Sequence, residues 1–236
     1  MITDRSKNKR VQVAKRILMA VLLLIISFIA FVMIMNRNSA NMTVKQKILK
    51  AVYPAFIWLQ KKSGKEQIIS AEKKTEPPVS FYSLSATEIN GDAFNFINLK
   101  GKKVLLVNTT SNCGYTGQYE ELEKLFSINK DKLLVIGFPS NDFKEQEKGD
   151  NGEIEKFCKL NFGITFPLMQ KSRVKKGNLQ NRVFAWLTNA SQNGWNNKQP
   201  EWNFSKFLVD ENGYLVKYFP PAVSPLSKEM ANALAE

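Results

Sequence analysis

Histidine is absent from this 236-residue chain, and cysteine occurs only twice, at Cys113 and Cys158. Without an imidazole neither a Ser-His-Asp nor a Cys-His arrangement nor a His-ligated metal site can be built, and two thiols are too few for a tetrahedral zinc centre. Neither a metal nor a cofactor is therefore expected. The two cysteines lie 45 positions apart, which excludes a C-x-x-C redox pair. Three possibilities remain for them: inert buried thiols, a structural disulfide, or a reactive pair. Acidic side chains are scarce in the first third of the chain. Residues 1–78 hold 4 Asp/Glu against 15 Lys/Arg and carry +11 of the formal net charge of +13, whereas residues 79–236 carry +2. A nucleic-acid-binding domain displays its basic face on the fold itself, so this distribution argues against that function.

Charge is missing altogether from Ile17 to Met35, ILMAVLLLIISFIAFVMIM, where Ser27 is the single polar residue. Nineteen such residues match the hydrocarbon thickness of a bilayer. The run exceeds the apolar region of a cleaved signal peptide, and NRNSAN after it offers only a weak cleavage site. An uncleaved transmembrane signal-anchor is expected at 17–35, behind a basic tail at 1–16. Arg5, Lys7, Lys9, Arg10, Lys15 and Arg16 precede the span, against Arg37, Lys45, Lys47 and Lys50 after it. This excess favours a cytoplasmic N-terminus and an extracytoplasmic main domain, periplasmic or extracellular. Residues 36–78 read as a basic amphipathic juxtamembrane segment and linker. Val44, Ile48, Val52 and Phe56 recur there at helical spacing between lysines, which suits an anionic membrane surface or a solvated spacer, and Pro54 is expected to interrupt or kink the helix. A polar run ending in Pro77-Pro78 leads into a folded domain over 79–236.

Within that domain, two alternating stretches flank Asn90-Gly91, a hairpin signal. VLLV at 104–107 and LLVIGF at 133–138 are uninterrupted apolar runs. Between them come a polar break holding Cys113 and a helical pattern with Tyr119, Leu122, Leu125 and Phe126 on one face. Such runs joined by a helix read as parallel strands covered on both faces. A capped helix is expected from Asp150 or Asn151, then a short strand at FPLM, a hairpin turning at Asn212-Gly213 and a last helix near 225–235. Strand, helix, strand, helix, strand, strand, helix is the order of a thioredoxin-like α/β fold, a central mixed sheet flanked by helices. In a βαβ unit the loop after the first strand is where ligands bind, and the following helix points its N-terminus there. Its unpaired amides and dipole are expected to stabilise a Cys113 thiolate without histidine, and a quiet buried cysteine is the plain alternative.

Three blocks, NTTSNCGYTGQYEELEKLF, VIGFPSNDFKEQEKGDNGEIEKFCKLNFGITFP and PEWNFSKFLVDENGYLVKYFP, resemble in order and spacing the signature blocks of the glutathione peroxidase family, over roughly residues 80 to 234. The resemblance implies a peroxidase with a catalytic tetrad at Cys113, Gln146, Trp202 and Asn203, and Cys158 as the resolving residue of its two-cysteine members. Hydrogen peroxide and organic or lipid hydroperoxides are the implied substrates, reduced through a Cys113 sulfenic acid and a Cys113–Cys158 disulfide, with the helix carrying Cys158 opening so that the two meet. A thioredoxin-like protein or glutathione is the implied reductant, the resolving cysteine favouring the former. The short connection from Leu187 to Trp202 lacks the insertion through which family members tetramerise, so a monomer is expected. The rival reading is a thioredoxin-fold redox sensor or binding module that relays oxidation to a partner protein. The sequence departs from the family at Gly117, where proline is common, at Ser140 and Asp142, where Cys and Gln are common, and at Lys144-Glu145, which replace a small or glycine-bearing pair. Asp142 is expected to bring a carboxylate near Cys113 and raise its pKa, and Thr109 and Thr110 to affect only strand packing.

Overall fold

The structure, a computed structural model, describes residues 2–37, 39, 41–63 and 67–236, without the side chains of residues 2–10 and 61–63. Parts of the basic tail, of NRNSAN and of the linker therefore lie outside the described residues. The chain divides into two compact units, 1–38 and 39–236. The first is helix α1 (Ile2–Met35), whose stretch Val11–Met35 contains 18 consecutive residues with a mean hydropathy of 3.2 and no burial. By length and composition it can cross a membrane, a test that a signal sequence also passes.

The second unit is built on a mixed sheet in the order β1 (Ile69–Ser70), β7 (Leu215–Phe219), β6 (Lys206–Val209), β4 (Lys103–Thr109) and β5 (Leu133–Pro139). β4 and β5 are parallel, β6 runs antiparallel to β4, and β7 antiparallel to β6. The apolar runs are continuous because both faces of the sheet are covered. From β4, Leu105 and Val107 enter a core with Tyr119, Leu122, Ile154 and Phe204, while Val104 and Leu106 enter a second core with Phe184, Trp186 and Phe207. Helices α3 (Gln118–Ile128), α4 (Asn151–Phe162) and α7 (Lys228–Ala235) feed the first core, and α5 (Arg182–Leu187) the second, with the one-turn α6 (Ala190–Asn193) following it. A capping box fixes the start of α4: Asp150 accepts the Glu153 N–H at 2.8 Å and Glu153 accepts the Asp150 N–H at 3.0 Å. Strands β2 (Ser85–Thr87) and β3 (Ala93–Asn95) form the small hairpin around Asn90-Gly91.

Several expectations are corrected. FPLM makes only isolated bridges, Leu168 to Gly137 and Met169 to Glu88, because Pro167 has no N–H to donate. Gly137 is required for this approach, since a Cβ there would sit 2.6 Å from Leu168 Cδ2. The polar linker is not free: Ile69–Ser70 forms the edge strand β1, pairing Ile69 with Tyr218. The basic amphipathic segment is helix α2 (Val44–Ser63), and it is neither a solvated spacer nor broken at Pro54. Pro54 is exposed, and its neighbours Tyr53 and Phe56 are pinned against the domain, so packing offsets the missing hydrogen bond.

Candidate active site

β4 ends at Thr109, and the chain turns before α3 begins at Gln118. Thr116 organises this turn. Its Oγ1 accepts the Cys113 N–H at 2.9 Å and donates to the Thr110 carbonyl at 3.1 Å, while its N–H donates to the Cys113 carbonyl at 3.1 Å. The Tyr115 N–H reaches Cys113 Sγ at 3.5 Å, and the Trp202 indole N–H, the Asn203 amide and the Gly114 N–H also face the sulfur. Trp202 and Asn203 arrive on the segment leading into β6. Phe204 adopts a left-handed φ of 67°, and its N–H donates to the Asn108 carbonyl at 2.6 Å, a turn that directs its two predecessors at the sulfur. The third wall is the loop after β5. Thr110 Oγ1 donates to the Gln146 carbonyl at 2.6 Å, and Asn203 Nδ2 donates to Gln146 Oε1 at 2.8 Å. With its oxygen engaged, Gln146 presents its Nε2 as a donor.

Cys113 is 2% exposed, and burial pushes its thiol above the ordinary value. Donors from Tyr115, Trp202, Asn203 and Gly114 pull in the opposite direction without reversing the rise. This corrects the expectation of a resting thiolate held by a helix dipole. Cys113 lies five residues before the first residue of α3, so its sulfur meets turn amides and not the amides of the helix's first turn. The arrangement suits an anion that forms during reaction, because fixed neutral donors need no reorganisation when charge appears.

Cys158 is fully buried in the middle of α4, and the two thiols are free. Burial pushes Cys158 up to about 12, the carboxylates of Glu147 and Glu155 add to this, and the Tyr119 hydroxyl opposes it. Asp142 does not face Cys113 as expected. Its Oδ2 accepts the Val174 and Lys175 N–H groups at 2.7 and 2.9 Å, so it ties down the 173–175 segment. Thr110 does more than pack, since it holds the backbone of Gln146. Lys144 and Glu145 both adopt positive φ, 52° and 50°, conformations that the glycine-bearing pair of the family accepts at lower cost.

Sequence reasoning missed Glu147, which is 1% exposed and accepts the Ser111 hydroxyl at 3.0 Å beside the Cys113 turn. Burial raises its pKa to about 7, against the pull of Ser111. A carboxyl with a raised folded pKa binds a proton between pH 4.5 and 7 that the unfolded chain has released, so its contribution is full below pH 4.5 and lost as pH rises through 7. Between those limits the wild type is expected to lose about 3 kcal/mol more stability than Glu147→Gln, because each tenfold difference in proton affinity between folded and unfolded chain is worth roughly 1.4 kcal/mol. Urea denaturation of both proteins at pH 4.5 and pH 8 measures this, and parallel losses would refute it.

Helix α2 closes over the same turn. Gln46 Nε2 donates to the Ser111 carbonyl at 3.1 Å, the Phe56 ring meets Tyr115 edge-on at 4.9 Å, and the Tyr53 hydroxyl donates to Glu121 at 2.8 Å. Lys50 Nζ reaches the Asn161 carbonyl at 3.4 Å, at the end of the helix that carries Cys158. A Cβ at Gly117 would lie 2.6 Å from the Tyr53 ring, so this departure from proline makes room for α2. Gly117→Ala is expected to destabilise the protein by about 1–3 kcal/mol. In the Tyr53→Ala background it should cost about 1 kcal/mol less. Equal costs in the two backgrounds, read from urea unfolding, would contradict the contact.

The sheet order and flanking helices define a thioredoxin-like fold, which also matches a DsbF homologue of Corynebacterium diphtheriae at a TM-score of 0.52 and 17% identity, over 73% of this chain and 93% of that one. The chain belongs to the glutathione peroxidase family and is a peroxidase of that type: the family model for glutathione peroxidase matches residues 81–188. A glutathione peroxidase-like peroxiredoxin of Chlamydomonas reinhardtii is 46% identical over 62% of this chain and 90% of its own length. Glutathione peroxidase-like peroxiredoxin 2 of Saccharomyces cerevisiae is 42% identical over 66% and 98%. Among solved structures, Trgpx in its apo form superposes with a TM-score of 0.51 and 28% identity, covering 67% of this chain and 97% of that one.

Proposed function

We propose that this chain is a membrane-anchored thiol peroxidase that reduces hydrogen peroxide and organic or lipid hydroperoxides through Cys113 and Cys158. The observation that carries the reading is that Trp202 and Asn203 bear on the buried Cys113 thiol while Gln146, from a separate segment, is bonded to Asn203. Cys113 acts as the nucleophile. As its proton is lost, the thiolate attacks the terminal oxygen of ROOH, an S–O bond forms, the O–O bond breaks, and RO⁻ leaves as ROH with the proton. Asn203, Trp202 and the turn amides bear on the sulfur, and Gln146 Nε2 supplies a donor to the departing oxygen. The product is a Cys113 sulfenic acid. Cys158, as thiolate, then attacks that sulfur, the S–S bond forms, and hydroxide leaves with the Cys158 proton as water.

Because Cys158 is buried in α4 with its thiol pushed up to about 12, the second step needs local opening of that helix, which both frees and acidifies the thiol. A dithiol protein of the thioredoxin class then reduces the disulfide and is itself oxidised. With an apolar helix at Val11–Met35 as anchor and the basic tail at 1–16 cytoplasmic, the peroxidase domain works outside the cytoplasm. The test is peroxide consumption by the full chain in proteoliposomes, supplied with either thioredoxin and its reductase or glutathione. Faster turnover with thioredoxin, with a Cys113–Cys158 disulfide identified by mass spectrometry, is the expected result. Turnover with glutathione at an equal or higher rate and no internal disulfide would contradict it.

A further inference from the structure

Helix α2 lies outside the segment matched by the family model, and it has two unlike faces. One face is committed to the domain through Gln46, Tyr53 and Phe56, which touch Ser111, Gly117 and Tyr115 on the Cys113 turn. The other is apolar and open to solvent. Val44, Ile48 and Leu59 recur on one side of the helix and are 75%, 37% and 58% exposed, and Trp58 beside them is 62% exposed. The helix contains five lysines and no acidic residue, and Lys45 flanks the apolar stripe at its start. Only residues 36–43 separate α2 from the end of α1, a connection that spans at most about 28 Å even when fully extended.

We infer that the outward face of α2 docks on an anionic lipid bilayer surface and so holds the Cys113 turn at the level of the lipid headgroups. The inference rests on the reading of α1 as a membrane anchor. Apolar side chains of an interfacial helix enter the boundary between headgroups and acyl chains, lysines meet anionic headgroups, and tryptophan favours that depth. A second copy of the chain fits this face less well, because a two-fold contact would set lysine-rich surfaces against each other. The consequence concerns substrate. A hydroperoxide group on an acyl chain is polar and rises towards the interface, beside which α2 holds the Cys113 turn.

The test uses the full chain reconstituted in phosphatidylcholine vesicles with and without phosphatidylglycerol, their acyl chains brominated. Trp58 emission is taken as the difference between wild type and Trp58→Phe. Loss of most Trp58 emission in the phosphatidylglycerol vesicles is expected. In Val44→Glu/Ile48→Glu that quenching should disappear, and turnover of vesicle phosphatidylcholine hydroperoxide should fall on the order of tenfold with hydrogen peroxide turnover unchanged. Unquenched Trp58 in a chain that resists carbonate extraction would overturn the docking of α2 and leave the anchor standing. Extraction by carbonate would overturn both. Lysine cross-links between copies through Lys45, in place of lipid quenching, would assign the face to a second copy and overturn the inference.

Discussion

Replacing Cys113 by serine is expected to abolish peroxide consumption, a loss on the order of 10³-fold or more. The expectation follows from how little else in the site can attack an oxygen. The groups around the sulfur, the Tyr115 and Gly114 amides, the Trp202 indole and the Asn203 amide, are donors without nucleophilic character. The other thiol, Cys158, is fully buried in α4 and pushed up to about 12, so it offers almost no thiolate at neutral pH. Serine is close in shape to cysteine and keeps the Thr116 contacts of the backbone, so thermal unfolding should change little. The measurement is peroxide loss under saturating reductant. Activity within a few-fold of wild type would remove Cys113 from the reaction.

Cys158→Ser should separate the two halves of the cycle. The first half needs only the donors around Cys113, none of which lies on α4, so one equivalent of peroxide should be consumed at close to the wild-type rate. Turnover with thioredoxin should then stop, because the sulfenic acid has no partner thiol in the chain. Rapid mixing with substoichiometric and excess peroxide distinguishes the outcomes: a burst followed by arrest is expected, and sustained thioredoxin-dependent turnover would show that Cys158 does not resolve the intermediate.

Much of the fold could be read from residue patterns because the deciding interactions are local. Asn90-Gly91 and Asn212-Gly213 set their turns, the Asp150 and Glu153 pair sets the start of α4, and the two apolar runs announce parallel strands. The segments that escaped are those whose structure comes from distant partners. Ile69–Ser70 becomes a strand only because β7 offers an edge, and FPLM fails as one because Pro167 withholds a donor. Helix α2 was legible as a helix but not as a lid on the Cys113 turn, since the space for Tyr53 is created by Gly117, more than sixty residues away. In the site, the positions matching the family blocks could be named, whereas their support could not. The bond from Thr110 to the Gln146 backbone, the left-handed Phe204 and the buried Glu147 depend on loops meeting in space, and no spacing in the sequence marks them. The direction in which the Cys113 pKa moves was misjudged for the same reason: helix proximity was visible, but the depth of burial was not.

In the proposed mechanism Cys113 rests as a buried thiol and becomes an anion only as neutral donors receive its charge. The most direct test is single-turnover oxidation of Cys158→Ser by hydrogen peroxide across the neutral and alkaline range, with the product mapped by mass spectrometry. The expected result is a rate that keeps climbing with pH beyond neutrality, as a thiol held above its ordinary value requires, and one oxygen added at Cys113. A rate already level at neutral pH, or oxygen found at another residue, would contradict the account.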